Sequence, residues 1–554
     1  MTKDVSNNII SLLEAHAAAF GDRPALMWVD PRDAGGAAPG DKAPVHQSMG
    51  FAQLARDVES AAAGLSDAGI RAGDRVFIFL PMSPLLYVAM FAVQRLGAMA
   101  VFLGSWARRE QLGACAAQVE PRGFIGAPPA LQAAGKVKEL AAIPVRAAAY
   151  GRMPGALSLE ALAAAGGTCP IHPVESGDTA LITFTTGSSG PPKGADRTHG
   201  FLYAQHRALD ACIPYVDGDV DLPVFPIFSL NNVAAGVPTV LPAIDLAKPR
   251  RSDGAVLAAQ IRATGATCCT LSPSLLKAVA QSALDADGGG PLTALRRVAT
   301  GGATISPDMA GLIMAAAPGA ELHILYGSTE VEPIAHLALK TPQEMPRADE
   351  RGGVCVGELS RGLQFKLLRL SKEPVQLGPA GWEELLAPEG GPGELVVAGE
   401  HVCGGYYKNP EAFERAKIKD GETVWHRTGD VCRLDGEGRL WIVGRVHNAI
   451  LRGGETLFPV RAEVVMQGLP FVAHAAYLGL PDEELGERAV AAFTLTEGAG
   501  VQDPELEVSR ALTAEKIMID QVVRVDVMPL DPRHHSKVLY GELRAVLLGR
   551  REGL

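Results

Sequence analysis

Residues 181–194 read Leu-Ile-Thr-Phe-Thr-Thr-Gly-Ser-Ser-Gly-Pro-Pro-Lys-Gly. The first four, short, apolar and β-rich, predict a buried strand over 181–184. The ten residues from Thr185 to Gly194 hold four hydroxyls, three glycines, two prolines and one lysine. Glycines let backbone N–H groups approach a phosphate closely, hydroxyls add donors, and a lysine supplies a point charge. A nucleoside triphosphate is the guest that such a loop suits. It is not a Walker A loop, which needs Gly-x-x-x-x-Gly-Lys-Ser/Thr: Pro192 precedes Lys193 and Gly194 follows it. The prolines also forbid the helix that a Walker loop feeds. Alone, a stretch so rich in breakers has a lesser reading as a plain polar turn.

The rest of the chain narrows the setting. With 554 residues, 47% of them hydrophobic, it can bury a large core and is expected to divide into about three to five compact units. A net charge of −11, from 51 basic and 62 acidic residues, argues against a nucleic-acid partner held by a general basic field. The eight cysteines have no Cys-x-x-Cys spacing, which disfavours structural zinc and a disulfide framework and fits a reducing cytoplasm. Cys268 and Cys269 read as small buried hydrophobes in a strand. No basic region followed by an apolar one opens the chain, so no signal peptide is expected. The most apolar stretch, 85–106, is interrupted by Gln94 and Arg95; an arginine at mid-bilayer costs roughly 2.5–3.5 kcal/mol on insertion scales. A helix over 85–96 followed by a strand over 99–103 is the better reading, without a transmembrane segment.

Apolar periodicity alternates between helical and strand-like: a helix over 51–65, a strand over 75–80, then the pair just described. The rhythm recurs around 239–266, 299–316 and 322–326. It predicts an α/β fold of mainly parallel sheets with helices on both faces. Residues 371–393 turn Pro/Gly-rich, and short β segments follow at 393–398, 424–430 and 440–443. A new composition starts at Gly444-Arg445. The expected division is an N-terminal domain, 1–443, of helix-flanked sheets and a smaller α+β C-terminal domain, 444–554.

Further motifs accompany the loop. Leu322–Glu330 is an apolar strand ending in Tyr326-Gly327-Ser328-Thr329-Glu330. A carboxylate just past a strand end can hold Mg²⁺ while the neighbouring hydroxyl meets a phosphate oxygen; taken alone, Glu330 reads as a solvated loop acid. Thr300-Gly301-Gly302-Ala303 is a second strand-end glycine pair, suited to letting a flat purine lie on backbone. His426-Arg427-Thr428-Gly429-Asp430 offers a carboxylate that can accept both hydrogen bonds of a ribose diol. Fifteen residues on, Arg445 offers a guanidinium to the same sugar.

In this order, the motifs resemble the adenylate-forming superfamily of acyl-CoA synthetases, peptide-synthetase adenylation domains and luciferases. The stretches 391–413 (GPGELVVAGEHVCGGYYKNPEAF) and 444–465 (GRVHNAILRGGETLFPVRAEVV) resemble it as well, so the likeness spans nearly the whole chain. The resemblance implies roles for particular residues. Thr185, Thr186, Gly187, Ser188, Ser189, Gly190 and Lys193 would cradle the β- and γ-phosphates of ATP. Gly301, Gly302 and Ala303 would line adenine with Tyr326, followed by Gly327 and Ser328. Thr329 would contact the α-phosphate, Glu330 the Mg²⁺, and Asp430 and Arg445 the ribose, with Ile442 packed by the nucleoside. Such enzymes also carry a lysine on a small mobile C-terminal domain. Here Pro532-Arg533-His534-His535-Ser536-Lys537-Val538 occupies that place, with Ser536 where the family pattern has glycine. Lys537 would neutralise charge as a carboxylate approaches a phosphate.

Departures from the family pattern narrow the subgroup. The residue two after Arg445 is usually Asp or Lys and is here His447, readable as a hinge, a general base or a surface histidine. The acyl-pocket segment, usually Pro-x-x-His-x-x-Gly, reads 220–232 VDLPVFPIFSLNN and 242–245 PAID. That segment and the tail look like the β-lactone synthetases of bacterial long-chain olefin biosynthesis. This resemblance implies adenylation of a 2-alkyl-3-hydroxy fatty acid, displacement of AMP by its own 3-hydroxyl, and other olefin-pathway enzymes as possible partners. Phe225, Phe228 and Leu230 would suit an alkyl pocket, or equally the core of a strand. The alternatives are transfer to the thiol of CoA or a carrier protein, with Gly454 where a pantetheine tunnel would pass, and a catalytically silent nucleotide-binding scaffold.

Overall fold

The computed structural model of the chain describes residues 3–29, 46–103, 109–185, 192–248, 250, 252–285, 288–348, 351–530 and 537–549. The chain packs into two compact units, fewer than its length alone suggests. The first comprises Met1–Met345, Ser360–Leu363 and Gly399–Phe413; the second comprises Pro346–Leu359, Gln364–Ala398 and Glu414–Leu554. The position 443/444 falls inside the strand Leu440–Arg445 of the second unit.

In the first unit, the strand expected at 181–184 is Thr179–Thr185. It belongs to a seven-stranded sheet ordered Leu157–Ser158, Val145–Ala148, Gly123–Gly126, Arg75–Phe79, Met99–Phe102, Thr179–Thr185, Lys193–Thr198. Every pair is parallel except the last, an antiparallel hairpin. Both described segments flanking residues 186–191 are therefore strands, and no helix follows the prolines directly. Other strands of this unit, Asp221–Pro223, Cys268–Leu271, Arg297–Gly301 and Glu321–Ser328, pair in parallel, and Val331–Leu339 pairs antiparallel with the last of them. Cys268 and Cys269 are fully buried among them, and burial pushes the Cys268 thiol up to about 12.

Periodicity and burial agree in the helices. Phe51–Asp67 buries Phe51, Leu54, Val58, Ala61 and Leu65 on one face, the stripe that a period of 3.6 residues produces. Pro84–Arg95 begins on a proline at its first turn and buries every residue except Leu85. At 12 residues it is about 18 Å long, well short of a bilayer's apolar thickness. Its polar residues find partners in part: Gln94 Nε2 donates to the Ala180 carbonyl at 3.4 Å while its buried Oε1 has none, and Arg95 meets Glu14 and, at 3.2 Å, Glu59. Among the described residues, no helix is long and apolar enough to cross a membrane.

One local expectation is corrected. Residues 220–232 form only a short strand, Asp221–Pro223, and then a helix, Pro226–Ala235. Pro226 at the first helical turn is pre-set in φ, and Gly236 ends the helix in the left-handed region at φ 71°. Phe228 and Leu230 are thus buried on a helix rather than in a strand.

The second unit has an antiparallel sheet ordered Gln364–Leu368, Gly393–Ala398, Thr423–Leu434, Leu440–Arg445, Val354–Leu359. Its C-terminal part pairs Val472–Asp482 with Gly486–Leu495, flanked by Ile450–Arg452 and Gln521–Arg524. Helices Pro459–Gln467, Pro504–Ala514 and Tyr540–Gly549 complete the α+β portion expected there.

Candidate active site

The hairpin that carries the loop aligns Thr185 with Lys193, and Thr185 Oγ1 donates to the Lys193 carbonyl at 3.5 Å. Thr186, Gly187, Ser188, Ser189 and Gly190 lie outside the described residues. The segment 403–407 runs antiparallel along the second hairpin strand. Asp196 N donates to the Gly405 carbonyl at 3.1 Å, Tyr407 N to the Gly194 carbonyl at 2.9 Å, and Ala195 bridges Tyr406. Lys193 Nζ consequently stands 5.8 Å from the centre of the Tyr406 ring.

Tyr406 reaches a second element. Strands Glu321–Ser328 and Val331–Leu339 are joined by a tight turn, Thr329–Glu330, with Ser328 opposite Val331. The Tyr406 hydroxyl donates to Glu330 Oε1 at 2.8 Å. Burial and the Glu330 charge hold the Tyr406 phenol far above its ordinary range, so it stays protonated and donates. The turn's backbone is equally constrained. Glu330 N donates to Ser328 Oγ at 3.2 Å and Cys403 N to the Glu330 carbonyl at 2.7 Å. Arg197, 4% exposed, donates from Nε and Nη2 to the Thr329 carbonyl at 3.2 and 2.7 Å. Nearby, the half-buried Glu332 is pushed up to about 7 by burial, against the pull of Arg197.

The glycines at 301–302 sit on the neighbouring strand. Gly301 pairs with Leu325, and a Cβ there would come within 2.4 Å of the Leu325 carbonyl oxygen. Gly302 has φ +87° and nothing within 4 Å of an added Cβ. A close backbone approach beside an open left-handed residue is a surface that a flat ring can cover. Strand pairing thus sets Gly301 beside Leu325, the residue before Tyr326; exposed Gly302 and half-buried Ala303 follow the strand end.

In the second unit, Asp430 and Arg445 are register partners, with Nε to Oδ1 at 2.9 Å. Asp430 lies within a long strand, Thr423–Leu434, rather than after one. Gly429, at φ +72°, precedes it at an irregularity in strand register, and Asp430 N donates to Thr428 Oγ1 at 3.1 Å. The carboxylate is 8% exposed as a residue, while the Arg445 side chain is 56% exposed. Ile442 is half-buried, between Val354 and Cys432. Lys537 is exposed, beside the Leu530–Val538 bridge. Three residues on, Tyr540 donates from its hydroxyl to Glu463 on the Pro459–Gln467 helix. His447 is exposed, in a short 3-10 turn after Arg445. Gly453 and Gly454, at φ +55° and +86°, form the turn between Ile450–Arg452 and Glu455–Leu457. Positive φ at both turn positions is what a type I′ hairpin demands, so a local reason for Gly454 exists without any ligand.

Sequence reasoning missed Arg197, Tyr406 and Cys403. The signal for Tyr406 was Gly404-Gly405 before it, in a stretch already matched to the family. For Arg197 it was a bare charge inside a short strand. No group of three or more His, Cys, Asp or Glu side chains among the described residues could hold a metal. A single carboxylate such as Glu330 still fits Mg²⁺, which commonly takes one or two carboxylates and completes its shell with substrate phosphates and water.

The α/β scaffold with a smaller α+β portion and the match to a family of AMP-binding enzymes make the chain an acid-activating, AMP-forming ligase. The chain belongs to the AMP-binding enzyme family, whose model matches residues 13–407. It is 30% identical over 506 residues to an olefin beta-lactone synthetase of Stenotrophomonas maltophilia, covering 89% of this chain and 90% of that one. It is 28% identical over 514 residues to 4-coumarate–CoA ligase 5 of Oryza sativa, covering 90% of each. In fold it is similar to an amide bond synthetase of Marinactinospora thermotolerans, with a TM-score of 0.77 at 22% identity over 97% of this chain and 99% of that one.

Proposed function

We propose that the protein adenylates a long-chain 2-alkyl-3-hydroxy fatty acid and closes it to a β-lactone. The observation that carries this reading is the 30% identity to an olefin beta-lactone synthetase along nearly the full length of both chains. In the first half-reaction a carboxylate oxygen attacks the α-phosphorus of ATP, the bond to the pyrophosphate breaks, and an acyl-adenylate forms. Thr185 to Gly190 and Lys193 bind the triphosphate, Gly301, Gly302, Ala303 and Tyr326 the adenine, Asp430, Arg445 and Ile442 the nucleoside. Gly327 and Ser328 shape the backbone that leads to Thr329. Thr329 holds an α-phosphate oxygen. Glu330 would hold Mg²⁺, which when bound neutralises charge on the phosphate oxygens. Lys537, on a mobile domain that begins at Gly444, offsets the repulsion between carboxylate and phosphate. In the second half-reaction the 3-hydroxyl oxygen attacks the acyl carbon, AMP leaves, and the hydroxyl proton is lost. The net organic change is loss of water from the acid.

A second reading is transfer of the acyl group to the thiol of CoA or a carrier protein; the likeness to a 4-coumarate–CoA ligase supports it. Both readings share the first half-reaction. Incubation with MgATP and a long-chain 3-hydroxy acid, with and without CoA, followed by mass spectrometry, separates them. Dehydrated acid plus AMP without CoA is the expected result; thioester formed only when CoA is added overturns lactone closure. Lys537→Ala is expected to slow acid-dependent pyrophosphate exchange by roughly 10²–10³-fold while ATP binding by calorimetry is retained. Unchanged exchange would remove Lys537 from the mechanism.

A further inference from the structure

The peptide unit between Thr329 and Glu330 is planar, so fixing its oxygen and its N–H fixes ψ of the first residue and φ of the second. Those two torsions set how the Thr329 and Glu330 Cα–Cβ bonds stand to the peptide plane, and so the base from which the hydroxyl and the carboxylate reach. The N–H end is tied locally, to Ser328 Oγ at 3.2 Å. The oxygen end is tied by the guanidinium of Arg197, through two nitrogens at 3.2 and 2.7 Å. Arg197 is buried in the strand that follows Lys193, so one strand carries the phosphate-loop lysine and the group that sets the turn. Burial pulls the Arg197 pKa down, and Glu332 and Glu330 oppose that pull.

We propose that Arg197 is a positioning residue: by gripping the Thr329 carbonyl it presents the Thr329 hydroxyl and the Glu330 carboxylate to the triphosphate and its divalent cation. The inference rests on the roles given above to Thr329 and Glu330. A planar fork that reaches one carbonyl with two donors suits this task better than the ammonium of lysine. The competing account is that Arg197 only offsets the charge of Glu332, the carboxylate that most opposes the fall in its pKa.

The double variant Arg197→Met/Glu332→Gln discriminates, because it removes the charge pair together and leaves no uncompensated ion. Melting temperature and ATP binding in EDTA report the fold and the metal-free site. Titration calorimetry of ATP at stepped Mg²⁺ concentrations reports the metal-linked site without any acid. The double variant is expected to bind ATP in EDTA within a few-fold of the unmodified protein, yet to need about 10–100-fold more Mg²⁺ for the linked tightening, the range seen when outer-shell partners of a metal site are lost. An unchanged Mg²⁺ requirement in the double variant overturns the proposal and leaves charge neutralisation as the role. If the double variant does not fold, Arg197→Lys, which keeps the charge but loses the fork, takes its place: an intermediate Mg²⁺ requirement is expected, and an unmodified one overturns the proposal. Absence of AMP from every acid tried would overturn the functional reading instead, and the calorimetric comparison would still decide the role of Arg197.

Discussion

Asp430 is the residue to which the proposed function gives the ribose, and its surroundings make that role testable. Its carboxylate is nearly buried, yet it accepts from Arg445, whose side chain is mostly exposed. An ion pair with one exposed partner contributes about 0–1 kcal/mol to stability. Asp430→Asn should therefore leave the melting temperature within a few degrees. Hydrogen bonds to a charged acceptor are worth about 1.5–3 kcal/mol, so the same change should weaken ATP binding by roughly 10–100-fold. The diagnostic arm is 2′,3′-dideoxy-ATP: the unmodified protein should prefer ATP to it in calorimetry, and Asp430→Asn should erase that preference. A preference that survives would detach Asp430 from the ribose.

At the scale of elements, the helix Pro226–Ala235 decides what the aromatic residues near 225 do. Phe228 is 3% exposed and clusters with Leu209, Ile213, Ala299 and Leu325. Ala299 lies in the strand that ends at Gly301, and Leu325 is the residue paired with Gly301. Phe228 thus packs behind the proposed adenine cradle. Phe228→Ala should cost about 3–5 kcal/mol by removing a large buried side chain and leaving a cavity, measurable by denaturant unfolding. If Phe228 instead lined an alkyl pocket, the variant would keep its stability and accept longer chains in the pyrophosphate-exchange assay. The two outcomes are opposite in both readouts. Sequence chemistry made the proline, the aromatics and the following asparagines visible, but a short apolar run does not tell strand from helix. Pro226 resolved it, by seeding a first turn that periodicity alone left open.

At the scale of the whole molecule, pH acts through groups the fold has buried. In the first unit burial holds His199 down to about 4 and His323 down to about 3. Their folded values lie below the unfolded one, so the unfolded chain binds protons first and stability falls as pH drops below about 6.5. In the second unit burial pushes Glu463 up to about 7, with the Tyr540 hydroxyl and Tyr477 N–H pulling the other way. Here the folded value lies above the unfolded one, so the cost of this carboxylate is absent at acid pH and grows as pH rises from about 4.5 to 7. Because the groups act in opposite directions, the difference between Glu463→Gln and the unmodified protein isolates one of them. Calorimetric unfolding should show that difference shifting in favour of Glu463→Gln between pH 5 and 7.5, by at most about 3 kcal/mol, and flat above. A difference that does not vary with pH would mean that Glu463 is ionised at its usual value in the folded protein.

Much of the molecule follows from local sequence. The helices at Phe51–Asp67 and Pro84–Arg95, the parallel strands and the strand that leads into Thr185 are set by apolar spacing, prolines and glycines, which act over a few residues. The family, and with it acid activation by adenylation, follows from the order of motifs along one chain. Tertiary structure alone decided which distant groups complete those motifs. Arg197 meets Thr329 across 132 residues of chain, and Tyr406 meets Glu330 across 76. No periodicity reports such pairs, because a buried guanidinium and a buried phenol are tolerable only where folding has brought them acceptors.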